Sequence, residues 1–525
     1  MKLSKASISL FIAFTLALCC AAPAFAGNTA QAFIPAEGQD VSAYPTIYLA
    51  GAWHILFYDE HTDHAEAAFD PFTTLFRDTS RLMKLVLSIA AFNYKGFGEI
   101  LSEMFSEGFY NIRMDKDGES VADNISADFL ERRVLGEPYH FVANGELDVT
   151  LGENECAFFF DWRLPPLQNA EKLRAFVLEV LEETGQEKVN VHAISGSGQI
   201  LLCYLDKYGT DKLASAVFNM SLHNGSSLFG GLATRQLGLD TGAMGNARTL
   251  KLWNAQDIVK WAAPLLRIIY EIGAMDYGSR FFTFASKKYI NKFYEETMIP
   301  LWYQIPSNLC MIPTSQYEQA KQLLFKGDPS YGKLLEKADG YMAVRTRQDE
   351  IILKAASEIK VAVRAGYGVP LTPFAQGTNV QSDEMVDTAY ASIGATCAPI
   401  NRPFFPGYEQ ANNLPGGKNY VSPDRLVDAS TCLLPDQTWF AKDASHFIEF
   451  SYSGWYEWFL KAENYSVWDN PDYPQFQQCV DFTDYVPMEQ AGPSMLRDTR
   501  DVLSVAFTLV MEAWRKVFLL PIFWM

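Results

Sequence analysis

The chain is short of positive charge. Its 43 lysines and arginines face 62 aspartates and glutamates, a formal net charge of −19 over 525 residues. A field of that sign repels phosphate backbones and argues against nucleic acid as a partner. It also argues against attraction to anionic lipid by bulk charge, so any peripheral contact with a membrane surface must rest on apolar patches. Clustered cysteine is missing as well. Outside the first twenty residues there are Cys156, Cys203, Cys310, Cys397, Cys432 and Cys479, and this wide, irregular spacing fits neither a zinc site nor a small disulfide scaffold. Cys156 and Cys203 read as buried thiols, and Cys397 with Cys432 is the pairing expected if a bridge forms. No internal repeat and no low-complexity linker interrupts the chain.

What is present begins with a leader. Lys2 and Lys5 precede an apolar run from Ile8 to Cys20, and Ala24-Phe25-Ala26 stands before Gly27. This describes a secretory signal peptide over residues 1–26, cleaved after Ala26, and an exported protein, secreted or periplasmic. Strands are expected at Thr46–Gly51, Cys156–Phe160, Val189–Ile194, Ala216–Met220, Val361–Gly366 and near Val427–Thr431, with helices between them. That alternation predicts an α/β fold, a mostly parallel sheet covered by helices on both faces. Leu82, Leu85, Val86, Ile89 and Ala90 recur at helical spacing and read as core. Between Asn224 and Lys354 the strand signal stops and aromatics such as Trp253, Trp261, Phe293 and Trp302 accumulate. A segment that long is a helical cap rather than a loop. The expected organisation is a core over 27–224, the cap over 225–355, the rest of the core over 356–465, and an extension over 466–525. The extension ends in an amphipathic helix bearing Leu503, Phe507, Trp514 and Phe518, which Glu512, Arg515 and Lys516 keep from being a membrane span.

The chemistry concentrates after the third strand. Val189-Asn190-Val191-His192-Ala193-Ile194-Ser195-Gly196-Ser197-Gly198 reads as a buried strand, a sharp turn and a helix start. A serine on such a turn is pushed out of the sheet, where the next amide can hold an oxyanion. The spelling is not G-x-S-x-G: Ala193 and Ser197 stand where glycines are usual. Both Ser195 and Ser197 are candidates, and Ser195 directly follows the strand.

A serine becomes nucleophilic when a base takes its proton and an acid orients that base. In α/β-hydrolases the acid and then the histidine follow the serine in the chain. Of the seven histidines, His54, His61, His64, His140 and His192 precede Ser195, and His223 comes too early to follow an acid placed after the cap. His446 remains. The acid should follow the strand at Val361–Gly366, where Ser382-Asp383-Glu384-Met385-Val386-Asp387 offers three carboxylates. Position alone does not choose among them.

Five blocks in order, Pro45–Gly51, Phe160–Leu164, Ala193–Gly198, Gly366–Pro373 and Ser382–Val386, together resemble the lecithin:cholesterol acyltransferase family, which includes lysosomal phospholipase A2 and bacterial secreted members. The resemblance implies an α/β-hydrolase fold with a triad of Ser195, Asp383 and His446. It implies oxyanion amides from Gly196 and from Ala52 or Trp53, and no cofactor or metal. The chain departs from the family at Ala50, which replaces a proline, and at the two missing elbow glycines. It also has no counterpart near residues 71–112 of the family's early cysteine pair, so docking to lipid through that segment does not carry over.

The expected activity is hydrolysis or O-acyl transfer on lipid esters, phospholipid or acylglycerol, through an acyl-enzyme. Three other readings compete with it. One is a non-catalytic secreted lipid-binding protein on a degenerate hydrolase fold, and another is a peptidase. The third is a metal site at His61, His64, Glu66 and Asp70, against which a solvated acidic loop is the preferred reading.

Overall fold

Strands buried on both faces form the centre of the molecule, and even their polar residues, such as Asn190, Ser215 and Arg364, are buried. In the computed structural model, β1 (Thr46–Leu49), β2 (Glu155–Phe158), β3 (Val189–Ile194), β4 (Leu213–Asn219), β5 (Lys360–Tyr367), β6 (Thr438–Lys442), β7 (Phe476–Cys479) and β8 (Tyr485–Pro487) form one sheet. Its order is β8-β7-β6-β5-β4-β3-β1-β2. Every pairing is parallel except β7 with β8. The structure describes residues 38–53, 56–58, 67–69, 84, 88, 93–122, 124–126, 140–143, 147–150, 154–236, 287–371, 380–400, 402–444, 446, 453–479 and 485–488. The leader, the apolar stripe at 82–90 except Ser88 and Lys84, the cap aromatics Trp253 and Trp261, the His61–Asp70 metal candidates and the helix at 503–518 lie outside them.

The helices that position the site are α1 (Tyr94–Phe109), α2 (Pro166–Thr184), α3 (Ser197–Tyr208), α4 (Pro306–Cys310), α5 (Gly332–Arg345), α6 (Gln348–Glu358) and α7 (Ser453–Lys461). Strand register divides them between two faces. Tyr48, His192, Val217 and Ala362 stand side by side across β1, β3, β4 and β5, and α7 covers that row with Trp455, Tyr456 and Phe459. Phe218 points the other way, toward Gly198 of α3, and α3 packs among α2, α5 and α6. The fold is therefore α/β, with helices on both faces of a mostly parallel sheet. Among the described residues no helix is long and apolar enough to cross a membrane.

Two expectations change. Val427–Thr431 is not a strand of this sheet: Val427–Asp428 pairs with Thr396–Cys397 in a separate two-stranded ribbon, and residues 429–431 form a 3-10 turn. The strand beside β5 is β6, whose buried face carries Trp439 against Trp455 at 5.2 Å between ring centres. The sheet also continues past residue 465 through β7 and β8. All six cysteines carry free thiols, Cys397 and Cys432 included.

Buried polar groups pin the layers together. Asp161 and Arg163 pair bidentately in the core, at 2.9 and 2.7 Å, and Arg163 reaches on to the carbonyl of Ile112 and the hydroxyl of Ser120. This block is a clamp between the end of β2 and the segment at 112–125. The Lys360 ammonium caps α7 through the carbonyls of Phe459, Leu460 and Ala462, a cation at a helix C-terminus.

His192 is buried between Tyr48 and Tyr456, with ring centres at 5.4 and 4.7 Å. Neither of its nitrogens meets a hydrogen-bond partner among the described residues. Burial, helped by the Arg364 guanidinium, pushes its pKa down to about 3, because a charge there would be desolvated and unpaired. The unfolded chain binds this proton near the ordinary histidine value of about 6.5, so stability falls as pH drops from there toward about 3. His192→Phe, which keeps a ring between the two tyrosines, should flatten that acid limb by about one proton, or about 1.4 kcal/mol per pH unit. Urea unfolding of both proteins between about pH 6 and pH 4 measures this slope; equal slopes would contradict it.

Candidate active site

β3 ends at Ile194 and the chain turns at once. Ser195 has φ 57°, the left-handed region that a non-glycine residue occupies only when its surroundings hold it there. They do so through the backbone: the Ser195 amide donates to Asn219 O at 3.1 Å, and its carbonyl accepts from Leu222 N at 2.9 Å. Close packing demands small residues just after it. A Cβ on Gly198 would overlap the Ser221 hydroxyl, and one on Gly196 would lie 2.7 Å from Ala52 Cβ.

Ser197 has a different task. Its Oγ accepts from Ile194 N at 2.9 Å and lies 2.8 Å from Ile194 O and 3.2 Å from Leu49 O. The hydroxyl that replaces the usual glycine folds back on the turn and staples β3 to β1. This separates the two serines: Ser197 is engaged by backbone, while Ser195 Oγ faces a base.

That base is His446. Its Nε2 lies 2.8 Å from Ser195 Oγ, and its Nδ1 lies 2.9 Å from Asp383 Oδ2. A second tie runs through the backbone, from His446 N to Asp383 O at 2.9 Å. The other oxygen of Asp383 accepts from the amides of Met385 and Val386 at 3.0 and 2.7 Å. Gly366, at the end of β5, leaves room for the acid: a Cβ there would stand 2.6 Å from Asp383 Cβ. The neighbouring carboxylates are placed elsewhere. Asp387 Oδ2 accepts from Ser227 N at 2.7 Å, so it caps the helix at Ser227–Ala233, and Glu384 is buried at φ 91°. Ser195, Asp383 and His446 thus follow β3, β5 and β6 at the carboxyl edge of the sheet, where open α/β sheets bind ligands.

The loop after β1 lies against the serine. A Cβ on Gly51 would be 3.5 Å from Ser195 Cβ, and the Cβ position of Gly196 is 3.3 Å from Ala52 N. The Gly196 amide opens the first turn of α3, where N–H groups have no intrahelical partner. The backbones of Ala52 and Gly196 are therefore packed against each other next to Ser195, the neighbourhood in which two donors to a developing oxyanion would have to lie. Trp53 enters differently, through its side chain: its ring meets Phe229 and Trp302, each at 5.4 Å. Trp302 belongs to a π-helix at Tyr294–Tyr303 that contains Pro300 and contacts Phe105 and Phe109 of α1. Trp302 is one of the aromatics expected in the cap, whereas nothing in the local sequence marked Phe229 or Asn308 as neighbours of the site, because each arrives by tertiary packing. Among the described residues no group of histidine, cysteine and carboxylate could hold a metal ion.

The chain matches no family model and no curated protein. Among solved structures it is similar to a chain of the crystal structure of the Tle4–Tli4 complex, at 10% identity over 62% of this chain and 74% of that one, with a TM-score of 0.29. So remote a likeness carries no weight beside the chain's own topology.

The two serines respond differently to substitution. Ser197→Ala should lower stability by about 1–3 kcal/mol, the cost of leaving buried backbone groups without a partner, while still reacting with a fluorophosphonate. Asp383→Asn should keep the fold yet lose about 10⁴ in kcat, because the amide favours the wrong tautomer of His446. Calorimetric melting and fluorophosphonate labelling rates check both; a Ser197→Ala protein that melts normally but no longer reacts would reverse the assignment.

Proposed function

We propose that the protein is an exported serine hydrolase or O-acyltransferase of lipid esters. The observation that carries this reading is the continuous hydrogen-bonded chain from Ser195 Oγ through His446 to Asp383, with the serine on a left-handed turn between two amide-bearing loops. As Ser195 Oγ attacks an ester carbonyl, His446 Nε2 takes its proton, and Asp383 holds the imidazole and stabilises the cation that forms. The amides of Gly196 and Ala52 receive the negative charge on the carbonyl oxygen. Collapse returns the proton to the leaving alcohol and leaves an acyl group on Ser195. An acceptor hydroxyl then gives its proton to His446, attacks the acyl carbonyl and frees the serine.

Lipid is the favoured substrate class for two reasons. The packed aromatic cluster next to the oxyanion loop, built by Trp53, Phe229, Trp302, Phe105 and Phe109, makes the flank of the site apolar, which favours an apolar substrate group. The ordered blocks that resemble the lecithin:cholesterol acyltransferase family favour a phospholipid or acylglycerol donor. A net charge of −19 makes contact with a lipid surface apolar rather than electrostatic.

Incubation with a phospholipid labelled in its acyl chain, with and without a long-chain alcohol, separates the acceptors. Free fatty acid from wild type and none from Ser195→Ala is the result expected of a hydrolase, and new ester in the presence of the alcohol that of an acyltransferase. Neither product, together with no fluorophosphonate adduct, would overturn this reading and leave the non-catalytic one.

A further inference from the structure

The loop carrying Ala52 is held from outside the sheet. Trp53 has φ 63°, a conformation that a tryptophan keeps only under constraint. Its indole packs edge-on against Phe229 and tilted on Trp302, and its Nε1–H donates to Asn308 Oδ1 in a long bond of 3.4 Å. Asn308 is buried in α4, and its Nδ2 donates to Trp302 O at 3.1 Å. One amide side chain therefore joins the oxyanion loop to the last turn of the π-helix. The same short helix backs the site at a second point. A small cavity behind Ala52 and Gly196 is lined also by Asn169, Gln199, Ser307 and Met311. Asn169 of α2 and Ser307 of α4 each carry a buried side-chain oxygen without a hydrogen-bond partner among the described residues.

We propose that Trp53 and Asn308 are positioning residues that hold the Ala52 amide against Gly196, so that the segment at 294–311 sets the oxyanion hole. This rests on the serine hydrolase reading. The physical ground is that an oxyanion hole works by preorganisation: donors already aimed at the developing charge need no rearrangement during the reaction, and a small displacement removes most of their effect. The strained turn at Trp53 relaxes unless the indole is anchored. Anchoring it to Asn308 makes the position of the oxyanion donor depend on packing more than 200 residues away in sequence.

The test uses the full-length protein and a soluble p-nitrophenyl ester, so that lipid-surface effects do not enter. Trp53→Phe keeps the ring contacts and removes the N–H. Asn308→Ala removes the acceptor, and Trp53→Ala removes both anchors. Expected are falls in kcat of about tenfold for the first two, a partial displacement, and about 100-fold for the third, the lower end of what loss of an oxyanion donor costs, with KM within about twofold. The inhibition constant of a trifluoromethyl ketone, which forms an oxyanion on the serine, should weaken in the same proportion, as transition-state binding requires. Combining Trp53→Phe with Asn308→Ala should cost no more than Asn308→Ala alone, because that variant already breaks the bond to the indole as well as the one to Trp302 O. Melting curves show which variants fold, and if Trp53→Ala does not, the other two still decide. Folded variants with unchanged kcat, or with KM raised alone, would overturn the latch while leaving the hydrolase reading intact. A wild type that neither turns over the ester nor takes a fluorophosphonate overturns both.

Discussion

The hydrogen bond between Ser195 Oγ and His446 Nε2, 2.8 Å long across 251 residues of sequence, is the contact on which the rest of the site depends. It needs a serine lifted out of the sheet and a histidine returned over it. The first condition is met at a cost in backbone strain, spread over the bonds from Asn219 and Leu222 and the staple from Ser197. The second is met by β6, whose register against β5 brings Lys442 level with Tyr367, so that the chain beyond it reaches Asp383 and Ser195 together.

Parallel pairing makes this convergence possible. When strands run the same way, all their carboxyl ends open on one edge, and loops from distant parts of the chain meet there. The buried row of Tyr48, His192, Val217 and Ala362 beneath α7 and the opposite packing of α3 on Phe218 fix that edge. His192 lies inside this row, and its burial there pushes protonation down to about 3. The helices at 294–310 then meet the same edge, with Trp53 and Gln199 among their points of contact.

Much of this was legible in the residues. β3, β4 and β5 announce themselves as short stretches rich in valine and alanine, and the elbow follows from a turn after the first of them. His446 emerges because no other histidine comes late enough. Other features had no local signature. β6 is five residues ending in a lysine, and its strand character comes from Trp439 packing on Trp455, so the β-branched Val427–Thr431 looked the better strand. Position could not choose between Asp383, Glu384 and Asp387. The distinction lies in which oxygen meets His446 and which caps Ser227, a matter of three-dimensional packing. Ser197 looked like a flaw in the elbow because its compensating partners, Leu49 O and Ile194 O, are carbonyls, which sequence does not display.

The central claim is that Ser195 is the activated nucleophile. Peptide mapping by mass spectrometry after treatment with a fluorophosphonate tests it most directly. One phosphonyl adduct, on the peptide containing Ser195 and at that residue, is the predicted result. Absence of any adduct, or an adduct on Ser197 or elsewhere in the chain, would contradict it.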